Sequence, residues 1–367
     1  MADSDSTLRL VVGDREHRGW TSVTVTRGLE QASSSFQLAL TTTTDGVTGN
    51  PMGVRAGQSC EVWIGDDLVL TGWVDAVEAG ASGSAYTLNA DGRSKTCDLV
   101  DCSAAPAQFK RQTLAQIAGA LAVDYDVDVS DLAGLTTTYR RVRSRHGESV
   151  FLVLDRLARN AQVLLTDDEQ GRLVITRVGT ERGDDITAAS PVADERIRVD
   201  LSQRFSVYEV RGQTAGDDQN YAAAVAHGYG EVTDEDDLDR VRRLELQAES
   251  GQGYKAACIA RATNEAVTRA GRSVQATIDM RGWRQSDGRL WWTNRIHRVN
   301  RPLIGVDGDM VVSSVTFSAD NDGLRTSLLL VPVGMYEFIA PTKRPARKKK
   351  ITKAAEHWIE GRIEVPE

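Results

Sequence analysis

Residues Ser22-Val23-Thr24-Val25-Thr26-Arg27 alternate apolar and polar side chains with a period of two, and Phe36-Gln37-Leu38-Ala39-Leu40 does so again. A strand turns successive side chains to opposite faces, so this pattern buries one face of a sheet and solvates the other; a helix would scatter it. Leu8-Arg9-Leu10-Val11-Val12 reads the same way. Cys60 to Ile64 and Leu68 to Val74 flank Gly65-Asp66-Asp67, a hairpin signal, and Ala85 to Ala90 follows. Strands this closely spaced predict a barrel or sandwich in the first hundred residues.

The period then changes. Leu114, Ile117, Ala118 and Leu121 fall on one helical face with Thr113 placed to cap it, and Val150, Val153, Leu154 and Leu157 repeat the arrangement from Ser149 to Asn160. Val163 to Thr166, a turn at Asp167 to Gly171, and Leu173 to Thr176 predict a hairpin, so residues 101–180 read as a small α+β domain. Alternation resumes at Val207 to Gly212 and Leu244 to Ala248, with an acidic loop expected over 231–239 between them. Lys255 to Ala270 is Ala-rich and helical in pattern, with Gly271 placed as its C-terminal stop. Strands are expected at Ser273 to Met280, Asp309 to Phe317 and Thr326 to Val331. The division is therefore 1–100 and 181–335 as two β-barrel-like domains, the second with a helical insertion near 250–271, 101–180 as α+β, and 336–367 as a basic flexible tail. The fold class is α+β, mainly β. A chain of 367 residues has room for two to four domains and a sizeable core.

Charge is unevenly placed. The whole chain is −8, yet Pro341 to Glu367 holds eight Lys/Arg and four Asp/Glu, which leaves the body at −12. An acidic body argues against a nucleic-acid-binding surface, whose footprint is basic. Lys343 to Lys350 has six basic residues in eight and is expected to be solvated. Met1 to Leu10 shows neither a basic nor an apolar leader region, so no secretory signal is expected, and the longest apolar runs, such as Leu328 to Val331, fall far short of a membrane span. Cys60, Cys97, Cys102 and Cys258 form no CxxC pair and are read as reduced thiols.

A search for chemistry finds little. HExxH, GxxxxGK[ST], GxGxxG and GxSxG are absent; Gly80-Ala81-Ser82-Gly83-Ser84 misses the last and is placed in a turn. His146-Gly147-Glu148-Ser149 gathers a base, an acid and a hydroxyl, but Glu148 or Ser149 serves equally as a helix cap. His17, His146, His227, His297 and His357 share no ligand spacing. Asp234 to Asp237 with Asp239 lacks the Gly and Glu of a calcium loop. No catalytic, cofactor-binding or metal residue is assigned. Ile359-Glu360-Gly361-Arg362 matches a protease-cleavage tag and is set aside. Three Gly-Trp pairs, Gly19-Trp20, Gly72-Trp73 and Gly282-Trp283, hint at two related β modules with each Trp anchoring a core or barrel rim.

Several segments together resemble the Mu-like phage baseplate hub family, the tail proteins of the late-control-D type. They are Gly19 to Glu30 with Phe36-Gln37-Leu38, Gly57 to Val62, Thr71 to Asp75, Asp91-Gly92-Arg93-Ser94-Lys95-Thr96-Cys97-Asp98-Leu99-Val100-Asp101-Cys102, Gly282-Trp283-Arg284, Gly288 to Trp291, Asn294 and Val311 to Phe317. The resemblance implies β-barrel modules with α/β insertions, two barrel-like domains per subunit, and a homotrimer closing into a pseudo-sixfold ring. It implies a structural role without catalytic residues or cofactors, in a virion tail baseplate assembled in the host cytoplasm. Implied partners are copies of itself, a central spike, the tail tube, tape-measure and other baseplate proteins, with DNA passing through the channel unbound. An obligate interface of roughly 2,000–5,000 Å² is expected, including some of the tryptophans. The rival readings are a tail-associated cell-wall hydrolase, which needs a cleft with paired carboxylates, and a β-barrel nucleic-acid module, which needs a basic aromatic groove.

Overall fold

The alternating N-terminal segments become β1 (Leu8–Val12), β2 (Arg15–His17), β3 (Ser22–Gly28), β4 (Ser35–Thr43), β5 (Ser59–Ile64), β6 (Asp67–Ser82) and β7 (Ala85–Ser94). The structure is a computed structural model, and it describes residues 7–43, 53–179, 181–212, 228–234, 240–248 and 255–335. Within it β6 runs 16 residues, past the expected end at Val74. Gly80 to Ser82 are therefore strand, and only Gly83 and Ser84 turn the chain. The apolar period stops at Val74 because the distal half of β6 lies on the surface, where burial imposes no pattern.

Next come α1 (Cys97–Asp101), β8 (Gln108–Phe109), β9 (Gln112–Thr113), α2 (Leu114–Ala122), β10 (Val129–Asp131), β11 (Thr138–Tyr139), β12 (Val142–Arg143), α3 (Val150–Ala161), β13 (Leu164–Asp167) and β14 (Leu173–Thr176). Thr113 caps α2 in a reciprocal capping box with Gln116, and the Ser149 hydroxyl caps α3 by accepting from the Leu152 amide. The inner faces of α2 and α3 pack on β13 and β14 around Leu114, Ile117, Val153, Leu154 and Ile175.

The last third holds β15 (Val192–Val199), β16 (Val207–Gly212), β17 (Gly228–Thr233), β18 (Arg243–Gln247), α4 (Lys255–Arg272), β19 (Val274–Arg281), β20 (Ile296–Arg301), β21 (Val306–Asp320) and β22 (Gly323–Pro332). Two expectations need correction here. Glu231 to Thr233 belong to β17, because their backbone pairs with Val207 to Glu209; residues 235–239 lie outside the described residues. Gly271 does not stop α4 but lies within it, and the end is closed by Ser273, whose amide donates to Arg269 O at 3.1 Å and whose hydroxyl donates to Ala270 O at 2.6 Å.

Twelve strands form one sheet in the order β15-β19-β22-β21-β3-β4-β7-β6-β5-β1-β2, with β20 paired to β21. The antiparallel β21–β3 ladder, Ser314 opposite Gly28 through Ala319 opposite Val23, joins the N- and C-terminal strands. One core follows, shared by Leu10, Phe36, Leu38 and Leu70 from the N-terminal strands and Ile278, Phe317, Leu328 and Leu330 from the C-terminal ones.

The described residues divide into two compact units. The larger takes in the twelve-stranded sheet and the α+β segment. The smaller comprises β16, β17, β18 and the N-terminal part of α4 up to Asn264. Its sheet runs β17-β16-β18, with β16 and β18 parallel. Gly230 lets the backbone of β17 lie against the helix, since a Cβ there would stand 2.3 Å from the Cys258 carbonyl carbon.

Within the larger unit a buried polar latch ties the α+β segment to the sheet. Arg27 on β3, 1% exposed, donates to Asp167 O on β13 at 2.9 Å and to Val69 O on β6. The Asp167 carboxylate accepts from the Ser34 amide at 2.9 Å and the Ser34 hydroxyl at 2.7 Å, and lies 3.5 Å from the Arg27 guanidinium. Arg27 also stacks 4.6 Å from the centre of the Trp292 ring. Thr166 Oγ1 donates to Gly28 O, and Thr71 Oγ1 donates to Glu169 O.

Candidate assembly surface

The residues that could have signalled catalysis are used by local structure. Glu148 accepts from the Arg145 amide at 2.9 Å and pairs with Arg156, while Ser149 caps α3. Asp234, at the head of the acidic run, is held by a two-pronged contact from Arg204 at 2.8 and 3.0 Å. Among the described residues no group of three or more His, Cys, Asp or Glu is placed to hold a metal ion. All four cysteines are free thiols. Burial pushes Cys60 and Cys97 up to about 12, so neither offers a thiolate near neutral pH. The basic run 343–350 and residues 359–362 lie outside the described residues.

His297 is fully buried. Its Nδ1 donates to Asp184 O at 2.8 Å, which fixes the neutral tautomer, and its ring lies 5.2 Å from that of Trp291. Gly183 makes room for it, because a Cβ there would meet His297 Cε1 at 2.2 Å. Burial holds the imidazole below its ordinary range, and burial lowers His17 likewise. The folded state therefore binds fewer protons than the unfolded chain. The associated stability is present above the ordinary histidine value near 6.5 and is lost as pH falls below it. Urea midpoints should drop between pH 7 and pH 5, and the drop should shrink in His297→Phe; an equal drop in both would assign the loss to other groups.

The six described tryptophans serve the fold. Trp283 and Trp291 are buried, and Trp20, Trp63, Trp73 and Trp292 are half-buried, so none of the described tryptophans is fully exposed. Gly19 and Gly282 both adopt φ near +80°, the left-handed region that favours glycine, just before a Trp whose indole N–H donates to a backbone carbonyl. Two of the three pairs thus share a way of entering a strand or turn, whereas Gly72 and Trp73 lie inside β6.

What the surface does offer is sheet edge. On its outer side β6 pairs with β5 only as far as Trp73, and Gly57 and Gln58 hold Val74. From Asp75 to Ser82 that side has no backbone partner among the described residues, and all eight residues are exposed except the half-buried Val77. At the far end of the sheet β15 pairs with β19 alone, exposing Ile197 (36%) and Val199 (61%), which alternate with Arg196 and Arg198. Open edges are pairing templates; the four charges of β15, Asp194, Glu195, Arg196 and Arg198, guard it more heavily than Asp75 and Glu78 guard the open stretch of β6. The tip of the β20–β21 hairpin carries a further exposed apolar side chain, Leu303.

The chain is similar to known proteins along its length. Residues 7–94 match the family model of the Mu phage baseplate assembly protein GpP-like N-terminal domain, 96–177 that of the baseplate hub protein gp44-like second domain, and 255–338 that of the GpP fourth domain. The baseplate hub protein gp44 of Escherichia phage Mu is 30% identical over 362 residues, covering 94% of this chain and 92% of that protein. The chain belongs to the Mu-type baseplate hub family. Among solved structures, the 43 kDa tail protein of prophage MuSo2 from Shewanella oneidensis superposes with a TM-score of 0.81 at 30% identity, covering 90% of this chain and 99% of that one. The tail protein from Neisseria meningitidis MC58 gives 0.79 at 21% identity, covering 90% and 97%, a likeness of fold. The hub is thus a structural component of a phage tail baseplate, with the mostly β fold of these tail proteins.

Proposed function

We propose that this hub forms a homotrimeric ring joining the tail tube to the central spike and surrounding the channel through which DNA leaves. The observation that carries this reading is a repeat inside the sheet. The run β3-β4-β7-β6 and the run β15-β19-β22-β21 have the same antiparallel order, each with its last two strands joined as a tight hairpin. Two like modules per chain let three chains present six similar surfaces to a sixfold tube while keeping threefold symmetry for a spike. The tape-measure and other baseplate proteins are further proposed partners, and assembly takes place in the host cytoplasm. The matched family segments, 7–94, 96–177 and 255–338, support boundaries near 100 and 180 in the proposed division. Light scattering with negative-stain imaging tests the ring: a threefold annulus supports it, and a compact monomer that degrades cell wall supports the hydrolase instead.

The hub acts by shape, and we assign it no reaction. The acidic balance of the body, −12 outside the tail, keeps phosphates from sticking as DNA passes. Duplex DNA should not be retained near physiological ionic strength, where charge attraction reaches only about 8 Å. Binding that survives replacement of all eight basic residues of the tail, Lys343, Arg344, Arg347, Lys348, Lys349, Lys350, Lys353 and Arg362, by Gln would place a basic DNA site in the body and overturn this point.

A further inference from the structure

One cleft of the larger unit carries carboxylates that no other described residue answers. Its volume is about 530 Å³, inside the roughly 300–1,000 Å³ of sites that hold a ligand. Three segments wall it: the β5–β6 hairpin, the β13–β14 turn, and the loop from Arg284 to Arg295 ahead of β20. Each wall is tied down. Arg284 donates to the Asp67 carboxylate at 2.7 Å and to Gly288 O at 2.8 Å, which holds the loop against the hairpin. Thr71 Oγ1 donates to Glu169 O at 2.9 Å, and the Asp168 carboxylate accepts from the amides of Gln170 and Arg172, both at 3.0 Å, which fixes the turn on β6. A cleft held this way has little freedom to lose when something enters it.

The walls supply two kinds of group. Trp63 and Trp292 line the cleft, and each already has a guanidinium over its ring, Arg9 at 5.0 Å and Arg27 at 4.6 Å from the ring centre. Those cations are answered by Glu16 and Asp167, so neither indole carries a bare positive charge that would repel a second cation. Of the charged side chains in the lining, Asp67 is paired with Arg284, Arg289 with Asp287 and Arg295 with Glu181. The carboxylates of Asp66, which is exposed, and of Glu169, which is half-buried, have no partner among the described residues. Unpaired carboxylates beside indole rings are the chemistry that recognises a guanidinium or ammonium group: the ring attracts the cation and the carboxylate accepts its N–H. A phosphate meets the wrong sign here, and a neutral ligand leaves both carboxylates unanswered.

We infer that this cleft docks a basic peptide segment of another protein, with an arginine or lysine side chain seated against Trp63 and Trp292 and bonded to Asp66 and Glu169. Arginine fits best, because its planar fork stacks on an indole while donating to a carboxylate. Tryptophan and arginine are also the residue types that carry most of the binding energy where proteins meet. The site uses neither open sheet edge and does not depend on the ring reading.

Fluorescence anisotropy of a fluorescein-labelled Gly-Arg-Gly-Arg-Gly peptide, titrated with full-length hub near physiological ionic strength, tests the assignment. Saturable binding is expected, and the citrulline counterpart, which keeps the shape and loses the charge, should bind at least tenfold more weakly. Asp66→Asn/Glu169→Gln should weaken binding about tenfold and Trp63→Leu about threefold. Glu78→Gln/Asp322→Asn removes the same charge from β6 and from the β21–β22 turn, and should bind as the wild type does. An equal loss in both double variants would reduce the effect to the general acidity of the body and overturn the site. Equal binding of the citrulline peptide would overturn the recognition of charge. A full-length hub with its eight basic tail residues replaced by Gln separates the remaining case. If only that variant binds the peptide, the occupant is the hub's own tail and the assignment to another protein falls; if neither binds, the site falls with it.

Discussion

Asp167→Ala should lower the unfolding free energy of the hub by about 3–5 kcal/mol, the range for removing one partner of a buried ion pair. The carboxylate is 1% exposed and faces a guanidinium that is 2% exposed. Removing it leaves the Arg27 charge with carbonyl partners only, and strands the Ser34 amide and hydroxyl that now donate to it. Water cannot easily replace it, because the site is closed by the Trp292 ring and the strands on either side. Replacing the pair together, Arg27→Met with Asp167→Leu, should land nearer the wild type, since a buried pair exchanged for apolar side chains of similar volume is often neutral. Urea unfolding with linear extrapolation measures both. A loss below about 1 kcal/mol for Asp167→Ala would show that the α+β segment is held by its apolar contacts and not by the latch.

Gly72→Ala should cost about 3 kcal/mol or more, beyond what a single added methyl in a core normally costs, because nothing near it can rotate away. A Cβ at Gly72 would lie 1.9 Å from Arg93 O and 2.6 Å from Ser94 Cα, both backbone of β7. Relief requires β6 and β7 to move apart, in the stretch that carries the Ser94 and Thr96 hydroxyls beside the latch. A poor yield of soluble protein is one readout of this strain; a lowered urea midpoint in what can be purified is the other. Gly80→Ala on the same strand is the control, since its Cβ would meet only the Thr87 hydroxyl, at 3.1 Å. Wild-type stability in Gly72→Ala would mean that the strands separate there at little cost.

Much of the fold was legible in the residues. Alternation fixed β3, β4 and β5, and the apolar stripes of α2 and α3 with Thr113 and Ser149 at their caps fixed both helices. β15 was missed because Val192 to Val199 is an edge strand exposed on both faces, so its sequence carries charges where a buried strand would alternate. β20 was missed for another reason: it joins the sheet only through β21, and His297 and Arg298 interrupt the apolar pattern. The absence of reactive motifs and the ordered run of family-like segments pointed to a structural role, but the assembly edge carried no sequence signal, since an edge is defined by what does not pair with it.

By itself, then, the sequence determined which segments are strands or helices wherever one face is buried, because burial writes a period into the side chains. It also determined the acidic body, the basic tail and the family. Only the tertiary structure decided that β3 and β21, far apart in the chain, join two modules into one sheet; that Arg27 and Asp167 meet in the interior; and that the outer sides of β15 and of Asp75 to Ser82 in β6 have no backbone partner among the described residues. Those outcomes depend on backbone hydrogen bonds between distant strands and on the desolvation of particular charges, and neither leaves a periodic trace along the chain.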